Sequence, residues 1–279
     1  MTVATPEPSA TVVLCSRTEP VEYFFVQRSA ASAFMPNAWV FPGGRLDILD
    51  RDPRVLRRLV GLDADALAAR MHGVEEAETA AALAVCALRE TFEESGLLLH
   101  TGGPLSRKAA LELRNYRLRV RDGGASFPAL LESLDLYLDG AALTYLDHWV
   151  TPPIESRRFD TRFFIAAAPP GRTPRPDHFE TRAAGRHAAR DALARHAAGD
   201  FPLAPPTFWI LGELAQFARA DEGLAWAAAR EVPPVRPTVV QVDGALAIAL
   251  PGDPLYPGDA GAAGPPRRVV WGGTSWSRG

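Results

Sequence analysis

Arg89-Glu90-Thr91-Phe92-Glu93-Glu94-Ser95-Gly96-Leu97 is the stretch that decides the reading of this chain, and Phe41-Pro42-Gly43-Gly44 is its upstream companion. From about Glu75 to Ser95 the pattern is helical without interruption, with Gly96 placed as a C-terminal stop. At about 100° per residue, with Val85 set to zero, Glu93, Glu90 and Glu94 fall near 80°, 140° and 180°. Leu88 and Phe92 fall at about 300° and 340°, so one side anchors the helix and the other presents charge. Three carboxylates within one turn repel each other unless a hard cation, an arginine or water intervenes. Mg²⁺ or Mn²⁺ with oxygen ligands is the direct resolution, against a plain solvated acidic face. In Phe41-Pro42-Gly43-Gly44 a short strand runs into two glycines, which permit tight backbone geometry with no Cβ in the way.

Working outward, Thr11–Cys15 and Glu22–Gln27 read as strands joined by a turn through Arg17-Thr18-Glu19-Pro20, and Trp39–Phe41 as a third strand. Asp52-Pro53 predicts one capped helix and Asp63 a second through Arg70, with Gly61 and Gly73 ending them. Their Leu56, Leu59, Val60, Leu67 and Met71 are too regular for a floppy linker. Downstream we expect a helix at Pro128–Tyr137, a strand near Trp149, a buried strand over Arg158–Ala166, and helices at Ala188–Ala197 and Thr207–Ala218. Pro257–Arg268, rich in Gly, Ala and Pro, reads as a loose connection.

The segment Arg89–Leu97 resembles the REUxEExGU half of the Nudix box, with Thr91 at the usual aliphatic position, and Phe41-Pro42-Gly43-Gly44 resembles the strand and loop that open that box. In the unbroken pattern G-x5-E-x7-RE, Asp50 stands at the first acid and Arg58 at the arginine, but Leu59 is not an acid. The usable Arg89-Glu90 comes about 31 residues beyond Arg58, which implies an insertion between the two halves. Such an interrupted box is similar to the Nudix motif 19 subgroup, whose mammalian members are peroxisomal coenzyme A diphosphatases. Arg158-Phe159-Asp160-Thr161-Arg162-Phe163-Phe164, Ala204-Pro205-Pro206-Thr207 and Leu250–Tyr256 also resemble segments of that subgroup.

The resemblance implies an α/β fold, the Nudix α/β/α sandwich with a mixed sheet. It implies a Nudix hydrolase domain over residues 1–200 with an insertion at about 45–75, a helical C-terminal extension over 201–256 and a loose tail over 257–279. It assigns Glu90, Glu93 and Glu94 as ligands of Mg²⁺ or Mn²⁺, the Gly44 carbonyl as a further ligand, and Arg89 as the arginine that orients a box carboxylate. Asp47 and Asp50 stand where glutamates are usual. Glu78 lies about 18 Å down the helix from Glu90 and reads as structural or solvated. The general base is a box glutamate or one from a later loop, with Glu180 the best placed by sequence order. His148 and His187 read as structural or exposed.

The implied reaction is hydrolysis of a diphosphate linking a nucleoside to another moiety, with coenzyme A or acyl-CoA first. ADP-ribose, NADH or a dinucleotide polyphosphate is the alternative, and a nucleotide-sensing domain without turnover is the alternative of another class. A second Nudix motif associated with coenzyme A is matched by Arg28-Ser29, but Ala33 and Asn37 hold its arginine and glycine positions. Composition narrows the field further. With 279 residues, 47% hydrophobic and 23% charged, the chain is globular, and its net charge of −3 supplies no general field for nucleic acid or anionic lipid. No apolar run approaches the roughly 18 residues of a membrane span. Cys15 and Cys86, far apart and without metal-ligand spacing, fit free thiols and a cytoplasmic setting.

Overall fold

The computed structural model describes residues 4–30, 35–120, 124–171, 174, 181–257 and 265–279. The chain opens with β1 (Glu7–Cys15), β2 (Glu22–Arg28), β3 (Trp39–Val40) and β4 (Gly43–Arg45). Three short elements follow, α1 (Pro53–Leu56), β5 (Leu59–Val60) and α2 (Ala64–Arg70). The long helix α3 (Ala77–Ser95) precedes α4 (Arg107–Arg119) and α5 (Phe127–Leu134). Strands β6 (Leu138–Asp139), β7 (Thr144–Val150), β8 (Phe159–Ala167) and β9 (Thr181–Ala188) lead to α6 (Ala189–Ala197), α7 (Pro205–Leu214) and α8 (Ala220–Ala229). The last strands are β10 (Thr238–Val242), β11 (Ala245–Ala249), β12 (Arg268–Trp271) and β13 (Trp276–Arg278).

β1 is the centre of a mixed sheet. It pairs antiparallel with β2 and β4 and parallel with β8, while β7 joins β8 and both β3 and β9 join β2. Ala10, Val12 and Leu14 enter one core with α3, and Val13 and Cys15 enter a second with α6 and α7. A strand covered on both faces needs apolar residues at successive positions, which is why this stretch of β1 lacks a polar alternation. The result is the expected α/β/α layering. Leu83, Leu88 and Phe92 hold α3 in the first core, each buried side chain contributing about 1.5–3 kcal/mol. Gly96 ends α3 in the left-handed region, at φ 73°, and its amide bonds back to Phe92 O.

The inserted segment is folded. The Asp52 side chain caps α1 by accepting from the Arg54 amide at 2.8 Å, and Asp63 caps α2 by accepting from Ala66 at 2.9 Å. Val55, Leu67 and Met71 are buried in the α3 core. Gly61 does not close α1, because β5 intervenes and pairs in parallel with β6. Arg58, which the uninterrupted pattern would place in the box, instead donates to Asp135 and to Leu136 O and lies over the Tyr137 ring.

The C-terminal region departs from expectation. The extension is not wholly helical, since β10 and β11 follow α8, and the tail is not loose at its end, where β12 and β13 complete a four-stranded antiparallel sheet. His196 Nε2 accepts from the Trp276 amide at 2.8 Å, tying β13 to α6. Asp253, fully buried, accepts from Leu255 N, Arg267 N and Arg268 Nε, all at 2.8 Å, which fixes the turn that Leu250–Tyr256 encodes. Both ties are polar and distant in sequence, so no local apolar period announced them.

Candidate functional site

The two halves of the acidic motif meet around Arg89. Its guanidinium grips Asp50 in a bidentate pair, Nε to Oδ1 at 2.7 Å and Nη2 to Oδ2 at 2.9 Å. Nη1 reaches Glu90 Oε1 at 2.8 Å and Glu93 Oε2 at 3.1 Å, and Nη2 also donates to Arg45 O. Asp50 is 1% exposed, whereas the Glu90 and Glu93 side chains keep 16% and 14%. The acidic side of α3 is therefore half-buried, not the solvated surface that the helical wheel suggests. Asp50, near the start of the inserted segment, and Arg89, beyond its end, are joined by this ion pair, so most of the insertion loops out between them.

The short side chains at 47 and 50 have defined places. Asp47 caps a 3-10 helix over Ile48–Arg51 by accepting from the Leu49 amide at 2.8 Å, and Asp50 accepts in return from the Asp47 amide at 2.8 Å. An aspartate at 50 can thus join the helix turn to Arg89 with both oxygens. Thr91 is fully buried at the aliphatic position because its hydroxyl donates to Ala87 O at 2.7 Å, leaving its methyl to the core.

The glycine loop lies against the acidic helix. Gly43 N donates to Glu94 Oε2 at 3.0 Å. A Cβ on Gly43 would stand 2.6 Å from Ala10 O, so glycine is required there by close approach of the backbone, while a Cβ on Gly44 would stand 2.4 Å from Glu90 Oε1 and displace that carboxylate. The Gly44 carbonyl is met by Cys86 Sγ at 3.6 Å, one helical turn below Glu90.

Helix α4 adds two residues. Tyr116 Oη donates to Glu93 Oε1 at 2.8 Å, and Arg117 Nε donates to Glu93 O at 2.9 Å. The signal for α4 is present in retrospect: Ser106 caps it, and the buried residues Ala109, Leu113 and Tyr116 recur at helical spacing. Glu180 lies outside the described residues. Glu78 is exposed, and His148 is buried beside Asp160, with Nε2 to Oδ1 at 2.6 Å, while His187 packs against Phe25 and Phe201.

Electrostatics favour an added positive charge. Burial raises Glu90 to about 7, with Arg89 opposing the shift and Glu93 adding to it. Burial likewise raises Glu93 against the pull of Arg89. Burial also pushes the Tyr116 hydroxyl far above the ordinary phenol range, so it remains a donor. Among the described residues no three His, Cys, Asp or Glu side chains already form a metal-ligand cluster, because Arg89 holds Glu90 and Glu93 while Gly43 N holds Glu94. The donor set nonetheless fits a hard divalent ion: carboxylate oxygens outnumber the guanidinium, and burial penalises their bare charge. Hollows of about 360 Å³ at the ends of β1 and β8 and about 200 Å³ between α3 and α4 are lined by other residues.

With this geometry in hand, comparisons with known proteins are specific. Residues 4–214 match the family described as NUDT19 Nudix domain. An acyl-coenzyme A diphosphatase NUDT19 of Gallus gallus is 31% identical over 85% of this chain and 73% of its own length. The protein of that name from Homo sapiens is 29% identical over 86% and 74%. The crystal structure of a NUDIX hydrolase from Alicyclobacillus acidocaldarius superposes with a TM-score of 0.63 at 29% identity, covering 80% of this chain and 97% of the other. With a box closed around Arg89 and three quarters of its length matched, the chain belongs to the NUDT19 Nudix domain family of Nudix hydrolases.

Proposed function

We propose that the protein is a divalent-metal-dependent diphosphatase that cleaves coenzyme A or acyl-CoA to 3′,5′-ADP and the corresponding 4′-phosphopantetheine. The observation that carries this reading is the acidic set of α3, with Glu90 and Glu93 held at Arg89 and Glu94 held by the Gly43 amide of the glycine loop, in a chain whose relatives are named acyl-CoA diphosphatases. Glu90, Glu93, Glu94 and the Gly44 carbonyl would hold Mg²⁺ or Mn²⁺. The bound ion would supply the Lewis-acid charge neutralisation that a diphosphate needs before water can attack phosphorus. Arg89 keeps two of the carboxylates aimed together, and the Gly43 amide orients the third. A box glutamate or Glu180 accepts the proton of the attacking water, and transfer to phosphorus breaks the P–O–P bridge with a phosphate oxygen as leaving group. Cys15 and Cys86 are both free, which supports our placement of the protein in the cytoplasm.

Acyl-CoA turnover in ¹⁸O-labelled water with Mg²⁺ or Mn²⁺ tests the reading. We expect label in one phosphate-bearing product and an intact thioester. Label in a released fatty acid would overturn the diphosphatase assignment. Turnover of ADP-ribose to AMP and ribose 5-phosphate, with every coenzyme A species inert, would keep the chemistry and replace the substrate.

A further inference from the structure

Glu93 is gripped from two helices at once. Arg89, on its own helix, holds Oε2 at 3.1 Å, while Tyr116, on α4, holds Oε1 at 2.8 Å. Arg117, next to Tyr116, takes the Glu93 main-chain carbonyl at 2.9 Å. α4 therefore fixes the residue at both its backbone and its carboxylate. Tyr116 is itself locked: it is 2% exposed, stacks on Phe92 at 5.9 Å between ring centroids, and meets Phe127 at 5.9 Å. Leu113, one turn earlier, anchors the same face of α4 in the core. Nothing in this arrangement needs the hydroxyl for packing, since a phenyl ring would make the same stacks.

We propose that Tyr116 is a positioning residue that commits Glu93 Oε1 and so fixes Oε2, which also accepts from Arg89, as the oxygen presented to the divalent cation, an inference that rests on the metal site proposed above. A carboxylate turned by a single partner can rotate away from a cation, and one held at the other oxygen cannot. Residues that orient a metal ligand commonly change affinity or activity by about 10-fold to 100-fold when removed. Tyr116→Phe deletes only the hydroxyl.

Mn²⁺ binding to the full chain, measured by calorimetry without substrate, gives a readout independent of turnover. Wild type, Tyr116→Phe, Glu93→Gln and the double variant are compared. We expect Tyr116→Phe to weaken Mn²⁺ by about 10-fold or more, with kcat recovering at saturating Mn²⁺. In the Glu93→Gln background the tyrosine substitution should cost nothing further, because the two act through one contact. This coupling isolates positioning even if the phenylalanine variant melts at a lower temperature. If Glu93→Gln weakens Mn²⁺ and Tyr116→Phe does not, or if the two losses simply multiply, Tyr116 is structural and the proposal falls. If Glu93→Gln leaves Mn²⁺ binding unchanged, the metal-site reading falls and takes the proposal with it.

Discussion

Two arginines, Arg89 and Arg162, are buried on the same side of the central sheet, and their surroundings differ in charge. Arg162 alternates along β8 with Phe164 and Ala166 and so faces the α3 layer. It pairs with Asp160 and donates to His72 O at 2.8 Å, which ties the end of the inserted segment to the sheet. Asp160 is also bonded to His148, whose own pKa burial lowers, so one carboxylate meets one cation and a neutral ring. Burial alone would raise Asp160, but the bonds from His148 and Arg162 outweigh it and hold the carboxyl at about 2. Around Arg89 three carboxylates meet one cation, and Glu90 goes the opposite way, to about 7. A balanced cluster is a fastening. An unbalanced one waits for a further positive charge.

Removing each arginine puts the largest strain on this contrast. Arg89→Met should lose about 3–5 kcal/mol of stability at neutral pH, because it strands buried carboxylates. Arg162→Met should lose less, about 1–3 kcal/mol, since Asp160 is 30% exposed and keeps His148. Chemical denaturation with and without Mg²⁺ separates them further: added cation should restore part of the first loss and none of the second. Equal rescue, or none in either, would erase the distinction.

Glu94→Gln sharpens the comparison on the functional side. It keeps an acceptor for the Gly43 amide and deletes a ligand charge, so kcat/KM should fall on the order of 100-fold, about 2.7 kcal/mol, with thermal stability held. Asp160→Asn, altering the balanced cluster, should reduce stability and leave kcat/KM at full occupancy of the fold almost unchanged. A drop in kcat/KM of equal size would show that the Arg162 cluster also belongs to the site.

The smallest effect is in the pH dependence, where the two clusters should have opposite signs. Glu90 binds its proton more tightly folded than at its ordinary value of 4.5, so the folded state carries more protons between 4.5 and about 7. Stability from this group therefore falls as pH rises through that window. Glu90→Gln should flatten the decline, with a gain over wild type of about 2–4 °C in Tm at pH 7.5 and little at pH 4.5, in the absence of divalent ions. Asp160 contributes stability that is complete above 3.8 and lost as pH falls towards about 2, so Asp160→Asn should differ least from wild type at the acid extreme. Tm profiles of both variants without metal would read this; parallel curves would contradict the assigned charges.

Much of this molecule was legible in its residues. The helix ending at Gly96 and its acidic side, the capped helices begun by Asp52 and Asp63, and the strands around Val12, Phe24 and Phe163 follow from periodicity, caps and β-branched or aromatic runs, all of which act within a few residues. What only tertiary structure decided is which distant groups meet. Asp50 finds Arg89 across the insertion, Tyr116 finds Glu93 across a helix pair, and His196 finds Trp276 across the second core. Each is a directional contact between polar groups, and such contacts leave no period in the chain. They form because apolar burial first brings the elements together, and the polar groups carried inside must then find partners.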